Sequence, residues 1–381
     1  MHSPSGKGGW AIESDGEGVK GQGHQIFVDE LARFAAGLDD ARVTAIAERT
    51  AAPLRVAVRG RRGVGRGAVA GALDRAGTAN VRVAAPGEVD VDVVAYVTTE
   101  VLKPEDIDAI DAAAAAGRPV LVVLNKADLA GSLSGRGADG PIAAARARCR
   151  DLAALAGAPM EPMIGLLGIA ALDGLDNAMW AALRTLAAAP GACLDESFAG
   201  FLAADNPVPT DVRLRLLDTL DLFGTALAIA AIRQGRAPAQ VLALLRRMSG
   251  VDAVLARLSV VGAEVRYQRV LDAVAELEAL AVGQGALGER ISGFLSRDDT
   301  VVARMAAAVD LAEAAGLDVG PVDLHRNPAA HLPRAARWQR YSRASVNDLH
   351  RACGADIARG SLRLWSQACG SLPGESLGEW S

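Results

Sequence analysis

Aromatic residues make up only 4% of the 381-residue chain, and cysteine occurs four times, at Cys149, Cys193, Cys353 and Cys369, with no CxxC pair. That spacing argues against a disulfide framework and a structural zinc set, and it suits reduced thiols in a cytosol. Lysine is scarce as well: Lys7, Lys20, Lys103 and Lys126 stand against 36 arginines. The longest uncharged apolar run of the second half, residues 222–232, has 11 residues, too few to cross a bilayer as a helix. Residues 1–23 are rich in Gly, Ser and charge, so no signal peptide is expected and residence in the cytoplasm is. What remains is 51% hydrophobic and 22% charged with a net charge of −5, which excludes collagen and a wholly disordered chain. The length suits about two domains, each with its own core.

Residues 1–26 have no apolar period and read as a flexible arm. One helix is expected within residues 27–52, where Phe27, Leu31, Phe34, Leu38, Val43 and Ile46 recur near helical spacing. From Leu54 the period changes. Strands are predicted at 55–59, 81–85, 91–98, 119–124 and 162–167, with helices at 68–76, 105–116, 142–156 and 175–188. Apolar strands alternating with helices point to an α/β domain over 54–190 with a mostly parallel sheet. Residues 191–210 contain an Asn-Pro-Val-Pro run and read as a linker. Beyond it only helices are predicted, at 211–233, 238–248, 251–282, 287–295, 298–315 and two within 332–367. The expectation there is an all-α bundle over 211–367, followed by a tail at 368–381.

The loop after the first strand runs Gly60-Arg-Arg-Gly63-Val-Gly65-Arg66-Gly67, the glycine spacing of GxxxxGK[ST] between a strand and a helix. In such a loop backbone N–H groups wrap phosphates, a lysine reaches the outer ones and a hydroxyl binds Mg²⁺. Here Arg66 stands for the lysine, with a broad planar fork in place of a compact ammonium. Gly67 has no oxygen to offer a metal. Further on, the apolar stretch 120–124 runs into Asn125-Lys126-Ala127-Asp128.

With both motifs in place the chain resembles the P-loop GTPases of the Era-like and dynamin-like branch over about residues 54–188. The resemblance implies a phosphate cradle at Gly60, Gly63, Gly65, Arg66 and Gly67, guanine read by Asp128, and Asn125 and Lys126 bracing the site. It also implies features this chain lacks. Ala84-Ala85-Pro86-Gly87 stands where the family has Asp-x-x-Gly, and no hydroxyl occurs at 168–172, where a base-supporting Ser-Ala would fall. Only three residues separate Gly77 from Val81, and only three lie between Gly87 and Val91, so neither γ-phosphate-sensing switch has room. Such a domain has no evident means to position an attacking water. It reads as a degenerate member with no catalytic residues and no metal site, taking GTP or GDP weakly if at all.

Two other readings of the same residues stand beside this one. Gly60 to Gly67 can be a tight strand-to-helix turn with Asn125 to Asp128 a cap, or Gly65, Gly67 and Ala70 can match GxGxxA with Glu88 as the ribose acid.

In the helical half, residues 324–365 hold Arg326, Arg334, Arg337, Arg340, Arg343, Arg351, Arg359 and Arg363 against Asp348 and Asp356, a net charge of +6. Without lysines this is no simple polybasic membrane signal, and nucleic acid is not expected. His325, His331, His350 and Cys353 have no second spaced pair to complete a metal set. The functional expectation is a pseudo-GTPase that regulates or scaffolds a protein partner, a GTPase or its own copy. Its layout resembles dynamin-like proteins, in which helices before and after the G domain pack together. The alternative is an active GTP-binding protein with an unorthodox phosphate loop.

Overall fold

The computed structural model describes residues 22–77, 80–131, 140–189, 197–205, 207–283, 285–320 and 328–370. Much of the expected arm, linker and tail, with Cys193, His325 and Arg326, lies outside them. The chain divides into two compact units, residues 52–266 and residues 1–51 with 267–381. This division differs from the expected boundaries at 54–190 and 211–367, and the cores give the reason.

The helix expected over 27–52 is two helices, α1 (Gly23–Ala36) and α2 (Ala41–Ala51). Gly37 ends the first, and the Asp40 carboxylate starts the second by accepting from the backbone N–H of Arg42 at 2.9 Å. Five residues assigned to the arm, 22–26, are described, and α1 already begins at Gly23, where the backbone N–H of His24 donates to Asp310 at 3.0 Å.

The larger unit holds β1 (Leu54–Gly60), α3 (Arg66–Ala76), β2 (Val81–Val83), β3 (Val93–Thr98), α4 (Pro104–Ala115), β4 (Val120–Asn125), α5 (Pro141–Ala156) and β5 (Met160–Met163). All the strand pairs are parallel, and the order is β2-β1-β3-β4-β5. Val56 pairs with Val83 on one side and Val93 on the other, Thr98 with Leu124, and Asn125 with Met163. The chain leaves β1 first to one side and then, after β2, to the other, so the carboxyl ends of β1 and β3 open a crevice where the order reverses. The β2-to-β3 crossover, residues 84–92, contains no helix; Ala57, Ala84 and Val91 close a small cluster of their own beneath it.

The strand expected at 162–167 is shorter. Gly165 opens the helix α6 (Gly165–Asp173), and α7 (Asn177–Ala188) follows. Within the expected linker, α8 (Phe198–Ala203) is capped by Ser197, whose hydroxyl accepts from the N–H of Gly200, and it buries Phe201 completely. Then come α9 (Thr210–Arg233), kinked at Asp221 (φ 58°), α10 (Pro238–Ser249) and α11 (Val251–Val261).

These last three helices belong to the sheet unit because their apolar faces are spent there. Val251, Val254, Leu255 and Leu258 of α11 share a core with Leu54, Val56, Val93, Leu121 and Val123 on one sheet face, together with α3. Each such fully buried side chain contributes about 1.5–3 kcal/mol. The opposite face, through Val94, Tyr96, Val122 and Leu124, joins a core containing Ile110 of α4, Cys149 of α5 and Leu216, Leu217 and Leu220 of α9.

The smaller unit combines α1 and α2 with most of α12 (Ala263–Ala281), α13 (Ala286–Ser296), α14 (Asp298–Ala314), α15 (His331–Ala344) and α16 (Asp348–Gly370). The single helix expected over 251–282 is therefore α11 and α12. Gly262 sits at the break, where a Cβ would lie 2.2 Å from Leu54 Cδ1. In the core of this unit Phe34 stacks on Phe294 at 4.1 Å, beside Phe27, Leu31, Tyr267, Leu311 and Ile357. Tyr267, Arg304 and Arg359 converge on buried Asp356. Among the described residues no single helix is long and apolar enough to cross a membrane.

Candidate functional site

The loop between β1 and α3 is shaped by its glycines. Gly60, Gly63 and Gly65 have φ of 144°, 85° and 83°, a region that side chains rarely enter. A Cβ on Gly60 would fall 2.3 Å from the Val97 carbonyl oxygen, and one on Gly65 2.3 Å from Asn125 Nδ2. Neither position admits even alanine without a shift. Between them Val64 is buried in the sheet core, so the loop is a fixed turn.

Two side chains hold it. Asn125, at the end of β4, donates through Nδ2 to the Val64 carbonyl at 2.9 Å and accepts through Oδ1 from the backbone N–H of Gly165 at 2.9 Å. One buried amide thus joins the glycine loop, the fourth strand and the start of α6. On the other side Arg61 Nε donates to both oxygens of Asp106 at 2.8 and 3.0 Å. Asp106 is fully buried and also accepts from the Tyr96 hydroxyl at 2.8 Å and the Lys103 backbone N–H at 2.9 Å. Burial pushes this carboxyl upward, but the Arg61, Lys103 and Tyr96 hydrogen bonds outweigh that and hold it below its ordinary value. Burial, with Asp106 alongside, pushes Tyr96 up to about 12.

Arg66 and Gly67 occupy the first turn of α3, both exposed, and Arg62 is exposed beside them. Among the described residues neither Arg62 nor Arg66 has a hydrogen-bond or ion-pair partner. Lys126 is exposed in a left-handed conformation (φ 57°), and behind it the turn Ala127–Ala130 buries Asp128 to 7% exposure. Among the described residues the Asp128 carboxylate has one hydrogen bond, from its own backbone N–H. Burial raises its pKa; that N–H and Lys126 oppose the rise, and Asp221 at the α9 kink adds to it.

The structure therefore brings Asn125 onto the glycine loop and leaves Asp128 as a buried carboxylate without a cation bonded to it. Residues 168–172, where the resemblance places a base-supporting Ser-Ala, lie inside α6, and Ile164 and Gly165 directly follow β5. Arg61, Asp106 and Tyr96 carry no motif signal, because their pairing spans 45 residues. Only Pro104 ahead of Glu105 and Asp106 marks the helix start that places the carboxylate.

A cavity of about 270 Å³ opens beside Lys126, lined also by Glu100, Val101, Leu124, Leu129 and Arg148. Neither the glycine loop nor Asp128 lines it. For Mg²⁺ the donors do not fit. Position 67 has no side-chain oxygen, Ala84 follows β2 where an acid would be needed, and no three His, Cys, Asp or Glu gather among the described residues. His350 bonds to the Tyr341 hydroxyl, and buried Cys353 to the Ala308 carbonyl.

Comparison with known proteins finds no match: no family model, no curated protein and no solved structure is significantly similar to the chain.

Proposed function

We propose that the sheet unit is a degenerate GTPase-like module that recognises a guanine nucleotide, without magnesium and without turnover, and acts as a regulatory or scaffolding partner. The observation that carries this reading is Asn125, which ties the glycine loop to the strand end bearing Lys126 and Asp128. Val64 and Asn125, 61 residues apart in sequence, are thereby in direct contact. Asp128 supports the base-reading part: a buried carboxylate lacking a bonded cation accepts the paired N–H donors of guanine at little further desolvation cost. The loop amides and exposed Arg66 would face the phosphates. Helices from both sides of the sheet segment form one unit, the layout the dynamin-like resemblance implies. The partner is a protein, a GTPase or a second copy.

Calorimetry with GDP and GTP, each with and without Mg²⁺, tests the reading. The expected result is equal affinity for the two nucleotides, no magnesium dependence, and hydrolysis no faster than a buffer blank. Asp128→Asn should remove the preference for guanine over adenine nucleotides. A strong preference for GTP with Mg²⁺, or turnover that disappears in Arg66→Ala, would favour the active-enzyme alternative.

A further inference from the structure

Helix α15 carries four arginines and no carboxylate. Arg337 is neutralised: one terminal nitrogen donates to Asp318 Oδ2 at 3.0 Å, the other to the Asp318 carbonyl, and its guanidinium lies 5.9 Å over the Trp338 ring. Arg334, one turn before Trp338, is not. It is half-buried, its Nε is fully buried, and among the described residues no nitrogen of it has a hydrogen-bond or ion-pair partner. Burial and the Arg337 charge depress its pKa; Glu313 counters them from beyond ion-pair distance.

The next turn of the same face repeats the pattern. Trp338 is 2% exposed, and its Nε1 is buried without an acceptor. Positions four apart on a helix are neighbours, and among the described residues neither of these buried donors has an acceptor. Leaving such a donor unpaired forfeits its hydration without replacement, and more so when it is charged. Other buried arginines keep at least one bonded nitrogen: Arg213 reaches the Phe201 and Ala204 carbonyls and Arg304 reaches Asp356, although the Nε of each is also buried without a partner. Arg334 has no bonded nitrogen among the described residues.

We propose that Arg334 and Trp338 form a binding site for a small oxyanion, a carboxylate or phosphate group whose oxygens accept from Arg334 Nε and Trp338 Nε1. The site lies in the helical unit and is independent of the nucleotide reading. A planar guanidinium beside an indole N–H matches an oxyanion with two acceptor oxygens, and the charge-assisted bond supplies most of the attraction. With no lysine and no carboxylate on α15, selection is for anions over cations.

The test uses the full chain with ¹⁵N-labelled tryptophan, titrated with inorganic phosphate and, separately, acetate, at ionic strength fixed with chloride. The indole signal of Trp338 is assigned by its loss in Trp338→Phe, or, if that variant does not fold, by single replacements of the other tryptophans. One indole signal should move saturably, and the thermal midpoint should rise over the same concentrations. Arg334→Met should abolish both responses while matching or exceeding the wild-type midpoint in anion-free buffer, because it removes a half-buried, unpaired cation. A response to phosphate alone assigns a phosphate group, and a response to acetate alone a carboxylate. The proposal is overturned by the absence of a saturable shift with either anion or by a shift retained in Arg334→Met. It is equally overturned by an indole already hydrogen-bonded without added anion, which marks trapped water or an acceptor within the chain.

Discussion

Two buried carboxylates sit past the ends of neighbouring strands, Asp106 after β3 and Asp128 after β4, and the chain treats them in opposite ways. Asp106, with no exposed surface, receives Arg61, Tyr96 and the Lys103 amide, and its pKa falls. Asp128, nearly as buried, has only its own N–H, and its pKa rises. Asp356 in the helical unit is partnered like Asp106, with a tyrosine and two arginines donating to it. Burial alone therefore does not distinguish a structural fastening from a carboxylate with acceptor capacity left over. The count of donors already committed to each oxygen does.

The contrast can be broken most forcefully at Asp106. Asp106→Ala strands Arg61 and the Tyr96 hydroxyl and should cost about 3 kcal/mol of unfolding free energy, measured by urea denaturation. In wild type the same pair should show in the acid limb. A carboxyl whose folded pKa lies below its unfolded value, near 3.8, adds stability that is complete above that pH and is lost as pH falls through the folded value. Asp106→Asn should flatten that limb, and an unchanged pH profile would refute the pairing.

Next in size is Asn125→Ala, which removes two buried hydrogen bonds and should cost about 2 kcal/mol. It should also speed amide hydrogen exchange in the loop at residues 61–65 more than in α4, whereas equal changes would mean that Asn125 does not hold the loop. The smallest effect belongs to Asp128→Asn. Because burial raises this carboxyl, the ionised form opposes folding, so the variant should be slightly more stable than wild type at neutral pH. The gain should shrink on acidification and vanish below the unfolded value of about 3.8. A loss of stability at pH 7 would make Asp128 an ordinary turn cap.

Much of the sheet was legible because β-branched runs bounded by Gly and Pro leave few choices: β1, β3 and β4 fall within a residue or two of their expected ranges. The loop glycines were legible for the same local reason. The start of α6 was not, since the apolar stretch 163–172 suits a buried strand as well as a helix until Gly165 and its bond to Asn125 decide it. The unit boundary was also hidden, because α11 and α12 form one helical period and only the match of Leu255 and Leu258 to the sheet core assigns α11. Arg61 with Asp106 was unreadable because the pair is distant in sequence; that Arg334 and Trp338 share a helix face follows from their spacing, and only their want of partners was hidden.

The helical unit is interrupted in sequence, and that sets an order of events on the ribosome. Phe27, Leu31 and Phe34 of α1 share a core with residues from Tyr267 onward, so they emerge 233 to 240 residues ahead of the segment that completes their cover. At roughly 5–20 residues per second that wait is about 12–48 s, long enough for the contiguous sheet unit to fold first. During this interval α1 displays an aromatic stripe to chaperones, and a ribosome stalled just after residue 266 has cleared its exit tunnel would hold a finished sheet unit and an unfinished amphipathic hairpin.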